Sequence, residues 1–195
     1  MPSRVRVFDV ERPDDDEVAR LLRKYSQARR RIVVWDQRSV DFRREMKDPP
    51  CFGEVVLLVL DESTRLALVR KRGSSPDAFD LPTGIISKGE GVEEAALREA
   101  HEETGRQVRV EYLVGVYQVR VSWEKWNLER WFFALRCTAV SERATPLDTE
   151  EIADVKFVQL PDEMPAWWPR DEWWGGGWRQ QILKDGGLLP AKGES

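Results

Sequence analysis

The chain has 195 residues, 41% hydrophobic and 34% charged, enough for one well-packed globular domain with an appendage. Its formal net charge of −4 argues against broad coating of nucleic acid, yet leaves room for a nucleotide or an RNA end. The longest strongly apolar run, Val55–Leu60, is far too short to span a bilayer, and the first residues lack the apolar segment of a signal peptide, so a cytoplasmic location with no membrane contact is expected.

In chain order, Pro13–Glu17 opens a helix, with acids where they complement the helix dipole. Val18, Leu21, Leu22 and Tyr25 form its apolar stripe, and Arg29, Arg30 and Arg31 are expected to close it. Ile32–Trp35 reads as a short strand. Asp48-Pro49-Pro50 breaks the pattern, so residues 1–50 read as an N-terminal helix-and-strand extension and 51–195 as the main domain with a Trp-rich end. Val55–Leu60 and Leu66–Lys71 read as strands, followed by a loop and by the turn Leu81-Pro82-Thr83-Gly84. A helix is expected over Val92–Thr104, with Leu97 and Ala100 on its apolar side and Gly105 as its stop. A long strand over Val108–Val121, a turn over Ser122–Leu128 and a return strand over Glu129–Val140 come next. A strand over Val155–Leu160 and a helix over Trp178–Lys184 complete the pattern. Strands flanked by helices on both sides predict an α/β fold, a three-layer α/β/α sandwich with a mixed sheet.

Chemistry concentrates between Gly84 and Gly105. Glu99, Glu102 and Glu103 sit three and four residues apart, which places all three carboxylates on one helix face. Like charges at that spacing repel, and a divalent cation between them removes the penalty. Mg²⁺ suits such a place because it prefers hard oxygen ligands and shares them with substrate phosphates. The single histidine, His101, points away from this face, which makes histidine triads and multi-histidine zinc sites improbable. Cys51 and Cys137 are isolated and read as buried thiols rather than as a disulfide or metal ligands.

Gly84, Glu90, Arg98, Glu99, Ala100, Glu102, Glu103 and Gly105 resemble the signature of the Nudix hydrolases, with one departure at Arg106, where an apolar residue is usual and Val108 can supply the anchor. A chance match at a given start is on the order of 10⁻⁸ from residue frequencies. The resemblance implies hydrolysis of a nucleoside diphosphate linked to a variable group, with Mg²⁺ or Mn²⁺ as cofactor and a small nucleotide as partner. It implies Glu99, Glu102 and Glu103 as metal ligands, with the backbone carbonyl of Thr83 beside them and Glu99 or Glu103 orienting water. Arg98 is expected to pair with Glu90 or a helix acid and to hold the loop against the helix, the loop bending at Gly84 and Gly89. A further acid is expected from the loop before the last strand, Glu151 ahead of Glu150, with a solvated acidic turn as the equal alternative. Arg70 and Arg72 are candidates for substrate phosphate, against simple solvation of a strand end.

Nine tryptophans stand out, five of them between Trp167 and Trp178. Trp123 and Trp126, placed in a turn, are the better candidates for stacking on a base; the C-terminal group reads first as cover for the sheet. Markers of the ADP-ribose, NADH and coenzyme A subclasses are missing, so nucleotide sugars, dinucleotides and nucleoside triphosphates all stay open. So do a non-catalytic nucleotide-binding module and processing of an RNA 5′ end; for the extension, a homodimer contact or a part in the substrate pocket stands level with a helix that covers one side of the core.

Overall fold

Val55–Leu60 is the most informative strand: every residue in it is buried. A run with no polar alternation belongs to a strand covered on both faces, and its side chains divide accordingly. Val55, Leu57 and Val59 enter one apolar cluster, while Val56, Leu58 and Leu60 enter another. The computed structural model describes residues 6–9, 16–36, 53–123, 126–141, 146–160, 162 and 177–190.

The elements in order are β1 (Arg6–Asp9), α1 (Asp16–Lys24), β2 (Arg29–Asp36), β3 (Glu54–Leu60), β4 (Leu66–Lys71), β5 (Thr83–Ile85), α2 (Val92–Thr104), β6 (Val108–Trp123), β7 (Trp126–Ala139), β8 (Ile152–Val158) and α3 (Gly177–Asp185). The sheet runs β1-β2-β6-β7-β3-β4-β8, and β5 pairs with β3. It is mixed: β2 with β6 and β3 with β7 are parallel, whereas the β6–β7 hairpin and the β4–β8 pair are antiparallel. On one face α1 and α2 supply Val18, Leu21, Leu22, Val92, Ala95, Ala96 and Ala100 to the core. On the other, α3 supplies Ile182 and Leu183. The fold is therefore an α/β structure with helices on both faces of a mixed sheet. Among the described residues no helix is long and apolar enough to cross a membrane.

Four local expectations change. Arg29, Arg30 and Arg31 begin β2 instead of closing α1, because parallel pairing from Arg29 opposite Gly115 to Asp36 opposite Ser122 satisfies more backbone than one further helical turn. The β6–β7 pairing runs to Trp123 opposite Trp126, so both tryptophans lie in strand and not in a turn over Ser122–Leu128. β8 starts at Ile152, drawn in by its register with Lys71. Leu97 is 44% exposed, since Val92, Ala96 and Ala100 already fill the face of α2 that meets the sheet. β1 and β5 were too short to announce themselves by periodicity, and the neighbouring ladders hold them.

The segment expected as an extension joins the same sheet through β2 and the same core through α1. Tyr25 and Lys24 also reach across to Glu93 at the start of α2. Cys137 is fully buried, and desolvation pushes its thiol up to about 12, which keeps it protonated and inert. Cys51 and the tryptophans at 167, 168, 173 and 174 lie outside the described residues.

Candidate functional site

The site is built around α2. Its first turn is capped by Glu94, whose carboxylate accepts the Gly91 N–H at 2.9 Å. Gly105 ends it in the left-handed region, at φ 68°. Between those limits the 3.6-residue period brings Glu99 against Gly84 and Glu103 against Thr83 and Lys71, while the more exposed Glu102 bonds to Arg98.

Gly84 is required by contact rather than by its backbone angle: a Cβ there would sit 1.7 Å from the carboxyl carbon of Glu99. Arg98 locks the same corner. Its Nε and Nη2 donate to the two oxygens of Glu90 at 2.7 and 2.9 Å, and Nη2 also reaches the Ile85 carbonyl at 2.9 Å. Its Nη1 donates to Glu99 at 2.6 Å and to Glu102 at 3.0 Å. The bond to Glu90, working against burial, raises the guanidinium above its ordinary range and holds Glu90 below the usual carboxylate value.

Glu103 is the deep member, with its side chain only 4% exposed. Its Oε2 accepts the Thr83 N–H at 2.8 Å, and Lys71 Nζ stands 3.6 Å from Oε1. Desolvation outweighs both partners and pushes its carboxyl up to about 8. Glu99 is also raised, again by burial first. For Lys71, burial favours the neutral amine, but Glu103 and Glu151 outweigh it and raise its pKa.

A second segment meets this corner. Leu147 and Asp148 donate backbone N–H groups to the Glu102 carbonyl at 2.9 and 3.0 Å, docking the loop on the C-terminal end of α2. Asp148 Oδ1 then accepts the N–H groups of Glu150 and Glu151 at 3.0 and 2.9 Å, an Asx turn. Glu151 ion-pairs with Lys71, so a carboxylate from outside the helix stands beside Glu103. Glu150 is exposed.

The basic residues are arranged differently from expectation. Strand alternation puts Arg70 on the face of Leu66 and Leu68, with its guanidinium 5.9 Å from the Phe79 ring, and not with the acids. Arg72 braces the acidic loop: its side chain donates to the Thr149 carbonyl and its N–H to the Glu151 carbonyl at 2.7 Å. Lys71, between them, faces the carboxylates. Period-two alternation along β4 is the signal that could have singled it out, and the Leu-Asp-Thr-Glu-Glu pattern is the one for Asp148. Trp123 and Trp126 flank the hairpin turn, but their side chains lie outside the described residues.

Three carboxylates on one helix wedge, two of them with raised pKa values, make a hard-oxygen donor set that fits Mg²⁺ or Mn²⁺. In this conformation no three His, Cys, Asp or Glu side chains among the described residues close into a cage; Arg98 and Lys71 lie among the acids instead.

A model of the NUDIX domain matches residues 53–174, and the chain belongs to the Nudix family. It is 42% identical over 62 residues to a Bacillus subtilis (strain 168) protein named provisionally as an 8-oxo-dGTP diphosphatase, over 32% of this chain and 40% of that one. It is 40% identical over 60 residues to an ADP-ribose pyrophosphatase of Methanocaldococcus jannaschii, over 30% of this chain and 36% of that one. The aligned part thus spans about two fifths of the length of these curated relatives. The crystal structure of a UDP-X diphosphatase superposes with a TM-score of 0.53 at 20% identity, covering 77% of this chain and 72% of that one, a likeness of fold.

Proposed function

We propose that the chain hydrolyses the pyrophosphate bond of a nucleoside diphosphate derivative with the help of Mg²⁺ or Mn²⁺. The observation that carries the reading is the meeting of Glu103 with Glu151, an acid from a separate loop, at Lys71, beside the Glu99 that Arg98 holds on the same helix. Glu99, Glu102 and Glu103, with the Thr83 carbonyl, would hold the cation, which supplies Lewis acidity towards the phosphate oxygens.

The chain's own residues do the rest. Arg98 fixes Glu99 and Glu102 against the Gly84 corner, so the donors are placed before substrate arrives. Lys71 offers a flexible cation for phosphate. Glu151, half exposed at its side chain, would accept a proton from an attacking water at its carboxylate. The named relatives make 8-oxo-dGTP and ADP-ribose the first substrates to try, followed by nucleotide sugars and dinucleoside polyphosphates.

The test is a substrate panel with Mg²⁺ or Mn²⁺, repeated with Glu99→Gln and Glu103→Gln. Release of nucleoside monophosphate that falls at least about a hundredfold in both variants supports the roles. Turnover unchanged in both removes them, and tight binding without turnover across the panel favours a binding module.

A further inference from the structure

The two polar partners of buried Glu103, Lys71 and the Thr83 N–H, stand at the two ends of one loop, residues 72–82. That loop is tied back to β4 by reciprocal backbone bonds between Val69 and Asp80 at 2.9 and 2.8 Å. It is also gripped from outside. Arg179, on α3, donates from Nε and Nη2 to the two oxygens of Asp80. The Arg179 side chain is 4% exposed and that of Asp80 34%, so a buried guanidinium reaches a partly exposed carboxylate in a bidentate pair on the sheet face opposite α2. Such a pair contributes little net stability over an apolar pair, but removing the carboxylate takes a bidentate partner from a buried guanidinium. It is suited to fixing a geometry. Residues 177–185 also lie beyond the segment that the family model matches, so the family pattern does not account for it.

We infer that Arg179 is a positioning residue: by clamping Asp80, α3 sets where Thr83 and Lys71 stand around Glu103. The inference rests on the proposed role of Glu103. Pro82 continues the path, since its carbonyl accepts the Leu57 N–H at 2.9 Å and so ties the residue before Thr83 to the central strand. A shift at Asp80 is therefore passed to Thr83 over two residues, one of them a proline with fixed φ.

The control is built into the same helix. Asp185 on α3 is held by Arg31 through two bonds of 2.7 Å, at the opposite end from Arg179. Arg31→Met should loosen α3 without touching Asp80. The readouts are hydrogen exchange of the Thr83 amide in the full chain without metal, and Mn²⁺ affinity. In Arg179→Met and in Asp80→Asn, Thr83 exchange rises and Mn²⁺ affinity falls, each about tenfold, with kcat lowered more than KM is raised. The double variant is no worse than either single one, and Arg179→Lys recovers part of the loss. Arg31→Met lowers Tm but leaves both readouts within about twofold.

Thr83 exchange and Mn²⁺ affinity in Arg179→Met that merely match Arg31→Met at equal Tm overturn the inference. If Arg179→Met does not fold, Asp80→Asn and Arg179→Lys decide by the same comparison. Glu103→Gln separates the two ideas: Mn²⁺ binding equal to wild type there removes the proposed function, while Thr83 exchange in the Arg179 variants still judges the clamp.

Discussion

Gly84 and Glu99 are in such close approach that no side chain fits between them; a Cβ on residue 84 would lie 1.7 Å from the Glu99 carboxyl carbon. The glycine is thus the socket of the acid, and the bend around it is a consequence of that contact.

Gly84→Ala should therefore act on activity through Glu99. The alanine forces the carboxylate out of its place against Arg98, and turnover falls on the order of a hundredfold, as for other displacements near 1 Å. Steady-state kinetics beside a thermal melt check this; normal turnover would show that Glu99 has room to spare.

Glu103→Gln should stabilise the metal-free protein at alkaline pH while abolishing turnover. The folded carboxyl titrates near 8 against an ordinary value of 4.5, because burial penalises its charge. The sign follows: its stabilising contribution is complete below about 4.5 and is lost as pH rises towards 8. Denaturation in EDTA should show wild type losing up to about 5 kcal/mol across that range, and the Gln variant losing less. Equal slopes for the two proteins would contradict the assignment.

Asp148→Ala should release the acidic loop. The carboxylate accepts two backbone N–H groups that have no substitute acceptor on alanine, a loss of about 1 kcal/mol. Turnover should drop about tenfold, while Asp148→Asn, which keeps an oxygen acceptor, stays within about twofold. Kinetic rescue by Asn is the deciding comparison.

Acid should loosen α3 through Asp185. Burial alone would raise this carboxyl, but Arg31 and Tyr117 outweigh it and hold it below the usual aspartate value. Its contribution is present above about pH 3.8 and is lost as pH falls through the lower folded value. Asp185→Asn should cost about 2–4 kcal/mol at pH 7, by removing the carboxylate that holds Arg31 and Tyr117, and less at pH 3. Urea denaturation at the two pH values measures the difference.

Much of this architecture is written locally. An unbroken apolar run marks Val55–Leu60 as a strand covered on both faces, and the helix over Val92–Thr104 spans the residues that its pattern and glycine stop indicate. The carboxylates sit on one face of that helix because 3.6-residue periodicity leaves no other choice. The family signature added Arg98 and Glu90, whose bidentate pairing is a short-range contact within eight residues.

Other features depend on partners far away in the chain. Lys71, rather than Arg70 or Arg72, meets Glu103 and Glu151 because strand alternation and the irregularity after Arg70 orient three adjacent cations in three ways. Arg29 to Arg31 read as a helix end until parallel pairing with β6 claims them, and Arg31 then finds Asp185, 154 residues on. Arg179 and Asp80 are 99 residues apart. Periodicity and capping report energies within a turn or a strand, whereas which charge faces which is settled only when the sheet register and the helix docking bring distant segments together.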